Sequence, residues 1–362
     1  MRFITKLLLG ALLIALIPAA ASAATVIDED LNLASDASSF TEVALGTDHQ
    51  VLWGFDYSGI VGPAPNTGDA STIGVRVTAN RTLVATSAAT LFHNTIVPAN
   101  ARVTVDLYMG VTGSGGTTEF GTVGLGSTGT TPYTIFTPIA GDGTYYTHTG
   151  DGGSASDWRW ARPGADPVGS SSVPMNTTST TYLLGSTNAP AYDGCCGLIV
   201  DPVNGASSGV GGNQWVTLSI TTNSGTSRIS INGQTVIVGP SIGAADDTGL
   251  TGGTAPGGKA SFSYADVFTS VASPGDSQFG IFDNFKVEEC NSSGDFDCDG
   301  KVDGEDFLLW QRDPDVGSLA DWEANYGTGA LAAVSIPTPE PTTCGLALAA
   351  TLCLAIGRRR VR

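Results

Sequence analysis

Between residues 24 and 290 the chain runs in short segments whose apolar residues fall at every second position, and no stretch there keeps a long helical period. A period of two puts successive side chains on opposite faces of a strand, so each segment must bury one face and expose the other. Arg102-Val103-Thr104-Val105-Asp106-Leu107-Tyr108, Trp215-Val216-Thr217-Leu218-Ser219-Ile220 and Arg228-Ile229-Ser230-Ile231 carry the pattern most clearly. Asn232-Gly233 follows the last of these and precedes Thr235-Val236-Ile237-Val238. That dipeptide supplies two positive-φ positions and predicts a hairpin. Phe279 to Val287 predicts a closing strand. The chain has 48 Gly for its turns and 41% hydrophobic residues for a core. Two antiparallel sheets packed face to face satisfy such segments. The expected fold is therefore all-β, a two-sheet antiparallel jelly-roll sandwich over 24–292.

The sharpest chemistry lies at 295–306. Asp295, Asp297, Asp299, Gly300, Asp303 and Asp306 occupy positions 1, 3, 5, 6, 9 and 12 of a twelve-residue loop. Calcium takes about six to eight oxygen ligands, and alternating side chains at the start of such a loop converge on one point. Gly300 permits the sharp turn, Lys301 offers its backbone carbonyl, and Asp306 closes the shell from the start of a following helix. Val302 is placed to pack inward. Phe307, Leu308, Trp310 and Gln311 predict that helix, and Leu319 to Gly327 a second one. Without a cation, carboxylates this close repel. The candidate cofactor is calcium, held by Asp295, Asp297, Asp299, Lys301, Asp303 and Asp306.

These residues resemble the first half of a type I dockerin, an EF-hand-like module, and the likeness spans 294–327. The segment Asp313-Pro314-Asp315-Val316-Gly317 is too short for a second ligand loop. The expectation is a single calcium-stapled helical pair over 293–328, in the truncated form common to planctomycete surface proteins. A dockerin-like module implies a cohesin-like protein partner. The Trp215 segment, the Asn232-Gly233 hairpin and Asp283-Asn284-Phe285 resemble the concanavalin A-like and laminin-G-like sandwiches, which implies glycans as ligands.

Both termini carry an address. Residues 1–23 read as a secretory signal, with Arg2 and Lys6 in front, Leu7 to Ile17 apolar, and Ala21-Ser22-Ala23 for cleavage at Ala23. At the other end a linker (329–341) closes on Pro339-Glu340-Pro341. The uncharged run Thr342 to Gly357 would rise about 24 Å as a helix, and Arg358-Arg359-Arg360-Val361-Arg362 follows. This arrangement resembles the PEP-CTERM sorting signal. It implies a C-terminal transmembrane segment over 342–362, an exosortase-type sorting enzyme acting at Pro339, Glu340 and Pro341, and an exported protein at the cell envelope. An ordinary tail anchor would give the same location.

The formal charge is -18, and six of the 16 basic residues sit in these terminal segments. So acidic a body is repelled by nucleic acid and by anionic lipid. Cys290 and Cys298 can bridge in an oxidising compartment; the pairing of Cys195 and Cys196 stays open. Trp53, Tyr57, Trp158 and Trp160 are candidate sugar-stacking residues, with Trp158 and Trp160 on one strand face. Glu42 and Glu119 have no acidic partner within their segments, and no nucleophile elbow, zinc motif or phosphate loop occurs. The expected role is non-catalytic: glycan binding, adhesion or surface-matrix structure. The alternatives are a dockerin-bearing, polysaccharide-degrading glycoside hydrolase and a purely structural envelope protein. N-terminal sequencing of the exported protein is expected to begin at Ala24; an intact Met1 would overturn the signal assignment.

Overall fold

The computed structural model describes residues 24–329, except 69, 83–85, 112–118, 135–140, 151–157, 162–171, 175–210, 224, 241, 246–250, 254–256, 268–275, 291–292 and 313. The signal segment, Cys195, Cys196, Pro339, Glu340, Pro341 and the 342–362 run with its Cys344 and Cys353 all lie outside these residues. Among the described residues no helix is long and apolar enough to cross a membrane.

Strands follow one another in chain order. β1 (Ala24–Glu29), β2 (Phe40–Leu45), β3 (His49–Asp56) and β4 (Ile73–Ala79) come first. Next are β5 (Ser87–Val97), β6 (Ala101–Gly110), β7 (Glu119–Ser127), β8 (Thr144–Thr149), β9 (Trp158–Ala161) and β10 (Ser172–Pro174). β11 (Trp215–Asn223), β12 (Thr226–Ile231), β13 (Gln234–Pro240), β14 (Ile242–Ala245) and β15 (Thr251–Gly253) lead to β16 (Gly258–Asp266) and β17 (Phe279–Glu289). One sheet has the order β13-β12-β11-β6-β17-β4-β3, with β1 also pairing β17. The other runs β10-β9-β8-β7-β16-β5-β2, and β14 and β15 form a small ribbon. All these strand pairs are antiparallel, as the alternating segments predict.

The two sheets share one core. Val103, Val105 and Leu107 of β6 and Phe282 and Phe285 of β17 meet Leu91, Val123 and Phe262 of the opposite sheet. The Phe262 ring lies 4.7 Å from Phe282 and 5.5 Å from Phe285. The predicted hairpin joins β12 to β13, with φ of 48° at Asn232 and 79° at Gly233. Asn232 also reaches the third strand, for its Oδ1 accepts from Thr217 N at 2.8 Å. At Asn284 (φ 51°) the register of β17 against β6 shifts. This bulge lets Asp283 face outward while Phe285 returns to the core.

After β17 the chain enters the helical module, α1 (Gly304–Arg312) and α2 (Leu319–Asn325). Cys290 N donates to Asn100 O at 3.0 Å, and Cys290 is disulfide-bonded to Cys298. Val302 is buried, as expected, and pairs by backbone with the segment after α2: Val302 N donates to Thr328 O and Gly327 N to Val302 O. Trp322 Nε1 donates to Asp303 O at 2.6 Å, and its ring lies 4.9 Å from Phe307. These contacts fasten α2 to the loop without a second ligand loop. Truncating the buried Phe282 to Ala is expected to cost about 3–5 kcal/mol in urea unfolding; a loss below about 1 kcal/mol would contradict its central place in the core.

Candidate functional site

The loop before α1 brings its carboxylates together. One carboxylate oxygen each from Asp295, Asp297 and Asp299 lie within 4.8 Å of one another, a cluster able to hold a metal ion. The backbone builds this by turning its own amides inward: Asp295 Oδ1 accepts from Asp299 N and Asp295 Oδ2 from Gly300 N. Gly300 holds φ of 83°, which a side chain would strain. Asp306 folds back across the loop from the first turn of α1, accepting from Phe296 N at 2.6 Å and from Asp303 N at 2.8 Å. Asp303 Oδ1 accepts from Glu305 N at 2.8 Å, the position of a helix N-cap. The Lys301 ammonium donates to Asp299 Oδ2 at 2.6 Å.

Asp295 and Asp306 are each 1% exposed. Burial, followed by the nearby Asp306 charge, pushes the Asp295 and Asp297 carboxyls up to about 7. Burial raises Asp306 as well. Oxygen donors this crowded and desolvated fit a hard divalent cation, whose charge offsets both penalties.

The loop forms one wall of a groove of about 770 Å³. Asp297 and Asp299 line that wall together with Glu305, Leu308 and Leu309 of α1. The facing wall is the outer surface of the larger sheet, where Arg102, Thr221, Arg228, Ser219, Ser230 and Thr235 stand. Arg102, Ser219, Thr221, Arg228 and Ser230 occupy the parity opposite to the core residues of their own strands, and the guanidinium nitrogens of Arg228 are buried. Asn223 Nδ2 donates to Asp295 O at 3.4 Å and ties β11 to the loop.

Farther along the same face, the segment 57–72 covers a second pair of buried carboxylates. Asp106 and Asp283 are directly opposite on β6 and β17, which alone is repulsive. Donors surround them. Asp106 accepts from Asn66 N, Asn66 Nδ2, Thr217 Oγ1 and Asn284 Nδ2. Asp283 accepts from Tyr57 OH at 2.6 Å and from Asn284 N at 2.8 Å. Burial, with Asp106 adding to it, raises Asp283 to about 7.

The aromatic candidates do not form a surface platform. Trp160 is buried at 1% exposure, its indole donating to Thr144 Oγ1 at 2.7 Å, because its strand parity points it into the core. Tyr57 is buried as the anchor of the 57–72 segment, and Trp53 is half-buried against Phe40 at 5.2 Å. The Trp158 side chain lies outside the described residues. Glu42 faces His49 at 2.8 Å. Glu119, alone in its own segment, meets Asp266 directly across β7 and β16; both are buried, and neither lines the groove. The groove arginines and the Asp106–Asp283 pair were not singled out from the sequence. Their signal was the outward parity of the Arg102–Tyr108 and Arg228–Ile231 segments.

No protein-family model and no curated protein matches the chain. Among solved structures it is similar to a protein of unknown function with a galectin-like fold from Bacillus subtilis. That likeness has 11% identity and a TM-score of 0.39, covering 74% of this chain and 97% of the other. A Bacillus subtilis carbohydrate-binding module aligns at 8% identity and a TM-score of 0.32, over 67% of this chain and 96% of the module. The potassium-bound Emp46p carbohydrate recognition domain aligns at 8% and 0.36, over 72% and 94%.

The raised Asp283 gives a pH test. In the unfolded chain an Asp releases its proton near pH 4, whereas the folded protein holds this one to about pH 7. Across that window the group therefore makes the fold less stable as pH rises. Asp283→Asn is expected to flatten that component of the decline, read as urea midpoints of both proteins from pH 4 to 8; parallel profiles would contradict it.

Proposed function

We propose that the chain is an exported, non-catalytic binding protein of the cell envelope, in which one calcium ion staples a dockerin-like helical pair against a glycan-binding β-sandwich. The observation that carries this reading is the shared groove. Carboxylates of the acidic loop, the Arg102 side chain and a row of Ser and Thr residues line the same 770 Å³ space, whereas the guanidinium nitrogens of Arg228 are buried. Hydroxyls and guanidinium donors are the groups that hydrogen-bond sugar oxygens. The secretory signal at 1–23 and the Pro339-Glu340-Pro341 tail support export, with an exosortase-type enzyme processing the tail at the membrane. The exposed side of the helical pair is the face a cohesin-like partner would meet.

Calcium is the cation this donor set favours, because all the candidate ligands are oxygens and no histidine or thiolate joins them in the cluster. A hydrolase reading would need two carboxylates accessible to a polysaccharide. The cross-strand pair Glu119 and Asp266 is 2% and 1% exposed, which removes it from solvent.

Calcium binds the folded loop and not the unfolded chain, so it stabilises by mass action. The gain is about 2.7 kcal/mol at free calcium roughly a hundredfold above its Kd. Thermal unfolding with calcium and with EDTA is expected to show this gain. Asp295→Ala combined with Asp306→Ala is expected to abolish it, whatever the variant's starting stability. An undiminished calcium increment in the variant would sink the loop assignment.

A further inference from the structure

We infer that, given the calcium reading of the acidic loop, the Cys290–Cys298 disulfide sets the calcium affinity of that loop, so that the module binds calcium tightly only once the bridge has formed. Cys298 stands inside the loop, between Asp297 and Asp299. Both of these neighbours belong to the carboxylate cluster. Its partner lies outside the loop, directly after β17, where Cys290 N donates to Asn100 O at 3.0 Å. The end of β17 is fixed in turn by the pairing of Glu289 with Ala101. The bridge therefore ties the middle of the ligand run to a set point on the sandwich, with the two Cα atoms 5.0 Å apart.

The backbone at Cys298 shows what that tie holds. Cys298 has a φ of 60°, a left-handed conformation that residues bearing a Cβ adopt rarely. Such a conformation persists when its surroundings over-determine it, and here the residue is fully buried and covalently bridged. The turn at Cys298 aims the amides that follow. Asp299 N donates to Asp297 Oδ1 at 3.0 Å and to Asp295 Oδ1 at 3.1 Å, and Gly300 N donates to Asp295 Oδ2 at 3.0 Å. Relaxing Cys298 to negative φ pivots the chain between Asp297 and Asp299 and draws their carboxylates apart. Mutual repulsion of the carboxylates drives the loop the same way when no cation is present. Calcium must then regather its ligands at a cost in chain entropy. Joining residues eight positions apart, the bridge removes many of those open arrangements in advance.

Opening the bridge takes two electrons and two protons. A dithiol supplies both: its thiolate attacks one sulfur, its second thiol displaces the mixed disulfide, and it ends as its own disulfide while Cys290 and Cys298 become thiols. The coupling is reciprocal. If reduction weakens calcium binding by some factor, calcium makes the bridge harder to reduce by the same factor. A tenfold coupling equals about 30 mV in a two-electron potential. For the exported chain proposed above, the loop stays slack in a reducing cytoplasm and becomes competent in an oxidising compartment.

The test is calcium titration of the full-length protein, oxidised and after dithiothreitol, with the state of Cys290 and Cys298 read by alkylation and mass spectrometry. Calcium binding is expected to be at least tenfold weaker in the reduced protein. Cys290→Ser breaks the bridge from outside the loop and removes no ligand. It is expected to bind at the weaker level with or without dithiothreitol, while its urea midpoint in EDTA reports that the sandwich is folded. In the reciprocal measurement, the wild-type bridge is equilibrated against mixtures of reduced and oxidised dithiothreitol. Its potential is expected to be at least about 30 mV more negative in calcium than in EDTA, the equivalent of that tenfold coupling. Equal calcium affinity with and without the bridge, or a potential that calcium does not move, overturns the coupling and leaves the loop reading standing. A loss on reduction that Cys290→Ser shows as well places the effect at another cysteine and also overturns it. No calcium binding by the oxidised protein overturns the loop reading and the coupling with it.

Discussion

The last strand of the sandwich lies in the middle of its sheet. β17 inserts between β6 and β4, so the chain must travel through every other strand before the larger sheet can close. Its pairing with β6 joins residues nearly 180 positions apart, for instance Asp106 with Asp283. Such contacts carry the loop-closure cost of the intervening chain and are won back by the burial of Phe282, Phe285 and Val287. That placement also decides where the helical module emerges. Glu289 pairs with Ala101, and Cys290 is held to Asn100, at the end of β6 where Arg102 faces outward. The module thus sits beside β11 and β12 rather than at the edge of the sheet, and a groove results.

Two sets of buried carboxylates on this one face show two solutions to the same physical problem. A charged oxygen taken out of water must recover its lost solvation from the protein. Asp106 and Asp283 recover it from donors, the amides of Asn66 and Asn284 and the hydroxyls of Thr217 and Tyr57. These donors come from the segment 57–72 and from the strands beneath it, so the network doubles as the fastening of that segment. The acidic loop draws on backbone amides, which satisfy single oxygens but leave Asp295, Asp297 and Asp306 mutually repulsive.

The aromatic residues mark the limit of local pattern. Trp158 and Trp160 share a strand face by parity, and so much was legible. Parity does not say which face is inward. β9 pairs with β8, which sets Trp160 opposite Tyr146, and both side chains enter the core. Tyr57 follows the same logic from a loop: its hydroxyl seeks Asp283, more than two hundred residues away, and no sequence window contains both. Glu119 and Asp266 are a third case, each solitary in its own segment and adjacent in the sheet.

What the sequence by itself determined is whatever depends on residues within about a dozen positions of one another. The strand segments, the Asn232-Gly233 turn, the acidic loop with Gly300 and the two short helices all belong here. Each follows from side-chain period, backbone strain or ligand spacing, and those forces act locally. Only the tertiary structure decided the partners: that Arg102 and Arg228 share a row, that Asp106 opposes Asp283, and that the acidic loop and Arg102 line one groove. Strand order and register fix these, and they are chosen by the packing of two whole faces against one core. One residue of slip would send every outward side chain inward, so the identity of the groove is a property of the closed sandwich and of no segment within it.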